Sequence, residues 1–128
     1  MTAVRRVVFL DRDGVVTVPR EVSGKGYAAR SISELQFYND AAESVLRLKA
    51  AGFDVIIVTN QPDVSAGLIT QPDLDDIHEF VAAHLEVDRI RTCTHLAVAA
   101  CQCRKPLPGL LVEENLERIL ADPMTPAD

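Results

Sequence analysis

The chain has 128 residues, room for one domain, and its 48% apolar and 25% charged content is that of a soluble globular fold. Acidic residues outnumber basic ones 19 to 13, a formal net charge of -6, which argues against non-specific binding to nucleic acid or anionic membranes because both need a positive field. No apolar run approaches the ~20 residues of a bilayer span, and Met1 to Arg6 leads into a strand with no cleavage signature, so a cytoplasmic protein is expected.

The pattern alternates strand and helix from the start. Val7 to Leu10 is a short apolar run, as in a strand buried on both faces. Asp11-Arg12-Asp13-Gly14 ends it with turn residues, and Gly14 suits a sharp bend. Residues from about Thr17 to Arg30 read as a loop rich in Gly, Ser and charge. Asp40 and Glu43 have the spacing of a capping box, Val45, Leu46 and Leu48 follow, and Gly52 is placed to stop that helix.

Phe53 to Val58 is a second strand, mostly β-branched and apolar, closed by Thr59-Asn60-Gln61-Pro62. Thr70 and Asp73 open another helix, with Leu74, Ile77, Val81 and Leu85 along one stripe. His78 and His84 are read as ordinary residues of that helix's surface. Val87 to Thr92 predicts a weaker third strand, and Gly109 to Leu120 a last helix before a Pro-containing tail. Such alternation implies an α/β fold, a parallel sheet with helices on its faces.

Ligand sites in such a sheet lie beyond the carboxyl ends of the strands. Three segments qualify: Asp11 to Gly14, Thr59 to Gln61, and the stretch around Arg104-Lys105. Asp11 and Asp13 are two apart on an extended chain, so their carboxylates can face one cleft, one as nucleophile and one as proton carrier. Thr59 carries a hydroxyl for a phosphoryl oxygen, and Lys105 a compact positive charge. Taken singly, each has a plainer explanation: a solvated turn, a strand-end threonine, a surface lysine before proline. The three cysteines, 93, 101 and 103, lie close together with His95, which favours a metal site over a disulfide framework.

In order, Phe9-Leu10-Asp11-Arg12-Asp13-Gly14-Val15, Val58-Thr59-Asn60-Gln61 and Cys103-Arg104-Lys105-Pro106-Leu107-Pro108-Gly109 resemble the motifs of the haloacid dehalogenase superfamily. More narrowly they resemble its zinc-bearing branch, which holds the D,D-heptose 1,7-bisphosphate and histidinol-phosphate phosphatases. The resemblance implies one three-layer, Rossmann-like domain over 1–128. It also implies a Mg²⁺-dependent phosphatase working through an aspartyl-phosphate. Asp11 would be the nucleophile and Asp13 the acid and base, while Thr59 and Lys105 would hold the phosphoryl oxygens. Asn60, Gln61 and Arg104 would contact a small phosphorylated substrate. Mg²⁺ would bridge Asp11, the Asp13 carbonyl and phosphate.

The same branch pairs Cys-x-His with Cys-x-Cys just before Arg-Lys-Pro. Cys93, His95, Cys101 and Cys103 would therefore close a tetrahedral, structural Zn²⁺ site in the loop 93–103. Two departures from the pattern are expected to matter. The family's later Gly-Asp motif, on a strand that pairs with the first, has no counterpart before Asp128; Asp122 and Asp128 sit in a tail without strand character. The fold would then be truncated, Mg²⁺ would bind less tightly, and the edge at Val7 to Leu10 would recruit a second copy or a companion chain. Secondly, Ala66-Gly67 stands where relatives often carry Arg before Gly. The short spacer from His95 to Cys101 leans towards the histidinol-phosphate enzymes, and Pro106 to Gly109 with the region of Thr59 towards the heptose group. A non-catalytic binding or assembly module is the rival from another class.

Overall fold

The computed structural model describes residues 6–95 together with Lys105 and Gly109. Its main sheet has three parallel strands in the order β1 (Arg6–Leu10), β4 (Phe53–Asn60), β5 (Arg89–Cys93). Leu10 is in register with Ile57, and Thr59 with Thr92, so all three strands end on the same side. The order follows from composition. β4 is the most apolar segment, with Val55 to Thr59 all buried, and it takes the central place where both faces are covered. β1 is only half-buried from Val7 to Leu10, less than the double burial expected of it.

Helices α1 (Ala41–Ala50) and α2 (Gln71–Leu85) share one core cluster with Val55 and Ile57 of β4, and so lie on one face of the sheet. Leu74, Ile77, Val81 and Leu85 are all buried, the last three in this cluster, as their spacing predicts. Ile56, Val58 and Cys93 form a second cluster on the opposite face, packed against Val7 and Phe9. Three layers, as against a sheet with helices on one face, would need cover from outside the described residues. The helix expected over 109–120 lies there too, apart from Gly109.

Local expectations divide by physics. The Thr70 capping box is formed: Thr70 Oγ1 accepts from the Asp73 amide at 3.2 Å, and Asp73 Oδ2 accepts from the Thr70 amide at 3.4 Å. Asp40 makes no such bond. Its backbone sits at φ -99°, ψ 2° rather than in the extended region that aims a capping side chain at the first turn. Gly52 ends α1 at φ 99°, as its position suggests.

Residues 17–30 are more ordered than the loop expected. Strands β2 (Arg20–Val22) and β3 (Lys25–Tyr27) form an antiparallel hairpin around Ser23 and Gly24, whose φ values of 52° and 79° are those of a primed two-residue turn. A short 3-10 turn, Ile32–Glu34, leads on to α1. No helix among the described residues is long and apolar enough to cross a membrane.

Candidate active site

Beyond the tip of β1 the chain folds into a tight turn. The Arg12 carbonyl accepts from the amides of Val16 and Thr17, the Gly14 amide donates to the Thr17 carbonyl at 2.8 Å, and Gly14 adopts φ 88°. Asp11 and Asp13 flank this turn in different surroundings. Asp11 is 50% exposed, and its Oδ1 accepts from the Arg12 amide at 2.8 Å and from Lys105 Nζ at 2.8 Å. Asp13 is enclosed by donors: Arg12 Nε and Nη2, each at 3.1 Å, Thr17 Oγ1 at 2.9 Å and Gln61 Nε2 at 2.7 Å.

The tip of β4 supplies the opposite wall. Gln61 continues the ladder to β5 through its amide, which donates to the Cys93 carbonyl at 2.7 Å. That bond fixes the buried Gln61 side chain, whose Nε2 reaches both Asp13 and Thr59 Oγ1, the latter at 2.8 Å. Accepting from Gln61 leaves the Thr59 hydroxyl proton available to donate.

Lys105 comes from far along the chain and is held at three points. Its amide donates to Asn60 Oδ1 at 3.0 Å, Asn60 Nδ2 donates to its carbonyl at 3.3 Å, and its Nζ donates to the Val58 carbonyl at 2.8 Å. Asn60 is thus bonded to the Lys105 backbone through both ends of its side-chain amide. Asp11, Asp13, Thr59, Gln61 and Lys105 are brought together by one continuous set of bonds. Arg104 lies outside the described residues.

Hard oxygen donors suited to Mg²⁺ are present on the Asp11 side. Asp11 Oδ1 is occupied by two donors, which leaves Oδ2, and the turn's backbone bonds run to the Arg12 and Thr17 carbonyls rather than to that of Asp13. The Asp13 carboxylate, by contrast, is taken up by four N–H and O–H donors. Asp11 Oδ2 and the Asp13 carbonyl are thus the oxygens that would hold a magnesium ion. Of the expected zinc ligands, Cys93 Sγ and His95 Nδ1 lie 3.6 Å apart, and Cys101 and Cys103 fall outside the described residues. Among the described residues no group of three or more potential ligands gathers.

Two residues of the site escaped the sequence reading. Arg12 is fully buried, 0% exposed, and clamps Asp13 with a two-pronged ion pair at 3.0 Å. His78 is no surface residue: its Nε2 lies 2.9 Å from Arg12 Nη1, and its Nδ1 3.4 Å from Thr92 Oγ1. Burial first, and then the Arg12 charge, lower its pKa to about 4, against smaller opposing effects of Asp13 and Asp75. Half-buried, it lies four residues after Leu74 and three before Val81, beside the buried stripe, a signal that was there to be used. His84 is on the helix surface as expected, stacked on Phe37 with centroids 4.0 Å apart.

No family model matches. The chain is 33% identical over 129 residues to a D-glycero-beta-D-manno-heptose-1,7-bisphosphate 7-phosphatase of Yersinia pestis, covering 91% of this chain and 65% of that one. It is 34% identical over 111 residues to the alpha-heptose counterpart of Mycobacterium tuberculosis, covering 83% and 56%. The crystal structure of a D,D-heptose 1,7-bisphosphate phosphatase from B. bronchiseptica, complexed with magnesium and phosphate, superposes with a TM-score of 0.76 at 30% identity, over 88% of this chain and 63% of that one. The chain thus spans under two thirds of each of these three proteins. Strand order and these similarities agree: the chain is similar to the heptose-1,7-bisphosphate phosphatases, and its motif order resembles that of the haloacid dehalogenase superfamily.

Proposed function

We propose that the chain is a phosphatase of a small sugar phosphate, of the heptose 1,7-bisphosphate kind, acting through an aspartyl-phosphate. The observation that carries this is Lys105 Nζ lying 2.8 Å from Asp11 Oδ1, a cation beside the candidate nucleophile at the carboxyl edge of the sheet. In the first step an Asp11 carboxylate oxygen attacks phosphorus and the ester P–O bond breaks. The departing oxygen takes a proton from Asp13. In the second step the Asp13 carboxylate removes a proton from water, the water oxygen attacks phosphorus, and inorganic phosphate leaves as the Asp11 carboxylate is restored. The proton lost by Asp13 in one step is regained in the next.

Positioning and charge neutralisation dominate such transfers. Lys105 and the Thr59 hydroxyl serve the phosphoryl oxygens, and Asn60 acts by fixing Lys105. Gln61 serves both states of Asp13. Its NH₂ donates to the carboxylate; a half-turn of the amide offers its oxygen to a protonated Asp13 while the Thr59 hydroxyl donates. Magnesium, when bound at Asp11 and the Asp13 carbonyl, supplies Lewis-acid neutralisation of the phosphoryl charge.

The approach of Cys93 to His95 supports these two as half of a structural zinc site with Cys101 and Cys103. Among the described residues β1 has a strand neighbour on one side, β4, which supports pairing of its other side with a further strand, from this chain or a second one.

The test is phosphate release from heptose 1,7-bisphosphate and from histidinol phosphate by the purified chain, with and without Mg²⁺. Release from the heptose ester is expected, to be lost in Asp11→Asn and on chelation. Turnover of histidinol phosphate alone would move the substrate class. A folded, inactive parent would favour a non-catalytic binding module.

A further inference from the structure

We propose that His78 is a positioning residue, which fixes the Arg12 guanidinium and through it the orientation of the Asp13 carboxylate. The inference rests on the reading of Asp13 as the acid and base. Its origin is a buried guanidinium held on two sides. One edge, Nε and Nη2, grips Asp13, while Nη1 points to His78 Nε2 at 2.9 Å. A guanidinium has donors only, so the imidazole nitrogen facing it must be an acceptor. His78 is then neutral, with its proton on Nδ1 facing Thr92 Oγ1 at 3.4 Å.

Neutrality suits the place. A second cation beside Arg12 would repel it and compete for Asp13, whereas an uncharged acceptor satisfies the third corner of the guanidinium and leaves the ion pair intact. The lowered pKa of His78, to about 4, keeps the imidazole in that form at neutral pH. Thr92 is in register with Thr59 on the neighbouring strand, so the chain of contacts from Thr92 through His78, Arg12, Asp13 and Gln61 closes at Thr59. Without His78, Nη1 of a fully buried arginine would lack this acceptor, and the guanidinium would be able to rotate away from Asp13 to find another.

The test uses the full chain with Mg²⁺ and two esters. Heptose 1,7-bisphosphate has an alkoxide leaving group that needs a proton; p-nitrophenyl phosphate has one that barely does. In His78→Leu, kcat on the sugar ester is expected to fall about tenfold or more with KM within about twofold, and kcat on the aryl ester far less. His78→Gln, whose Oε1 can accept from Arg12, is expected to recover to within about threefold of the parent. Equal losses on both esters, or a glutamine variant no better than leucine, would overturn the positioning role.

A second readout does not depend on activity. The Arg12 Nε–H proton, shielded by its bond to Asp13, is expected as a slowly exchanging NMR resonance in the parent and His78→Gln and to be lost in His78→Leu. Its persistence in His78→Leu overturns the proposal even if the parent proves inactive, an outcome that would instead refute the phosphatase reading.

Discussion

Asp11 turns one oxygen to the Arg12 amide and Lys105, and on the proposed mechanism substitutions around it should rank by the charge they remove. Lys105→Met removes the ammonium while keeping the stem, so kcat on the sugar ester should drop roughly 10²–10³-fold, the range seen when one charge-stabilising donor is lost. Gln61→Leu removes the donor to Asp13 and to Thr59 but no charge, and a smaller loss, of about tenfold, is expected. Steady-state kinetics of both variants checks the order; a Gln61→Leu variant worse than Lys105→Met would reverse the roles assigned to them. At this scale the sequence was a partial guide. Asp11, Asp13, Thr59 and Lys105 could be picked out because they end strands or match motifs. Arg12 stood between two of them and was passed over, since nothing in a one-dimensional reading says which of three adjacent charged residues turns inward.

Helix starts illustrate how sequence spacing and geometry can part. Thr70–Asp73 and Asp40–Glu43 have the same three-residue spacing, yet only Thr70 adopts the extended backbone, φ -90° and ψ 160°, from which its side chain reaches the first turn. Thr70→Ala should therefore cost about 1 kcal/mol, while Asp40→Ala should stay within about 0.5 kcal/mol of the parent. Urea denaturation of the two variants checks this, and equal losses would contradict the difference in capping. Strong periodicity made α2 and β4 legible, because burial enforces it over many residues. The hairpin at Arg20–Tyr27 was missed for the opposite reason: three-residue strands, half-exposed or exposed throughout, carry no burial pattern to read. Only the Ser23-Gly24 dipeptide marked the turn.

Across the whole molecule, the same half-buried imidazole that faces Arg12 should govern how folding responds to acid. In the unfolded chain His78 titrates near its ordinary value of 6.5, and in the folded chain near 4. Between those values the unfolded state carries a proton that the folded state refuses, so each step down in pH favours unfolding. The stabilisation is complete above about pH 6.5 and is spent near pH 4, with a limiting slope of about 1.4 kcal/mol per pH unit. Over the full window the loss is about 3 kcal/mol, a large share of a small domain's stability. Carboxylates titrating in the same range add their own slope, so the quantity to measure is the difference between the parent and His78→Gln, which keeps the acceptor and removes the titration. Urea unfolding at intervals from pH 7.5 to 4.5 should give a parent curve steeper than that of the variant by most of that amount. Parallel curves would mean that His78 accepts its proton as readily folded as unfolded, which the contact with the Arg12 guanidinium at 2.9 Å forbids unless Arg12 first lets go.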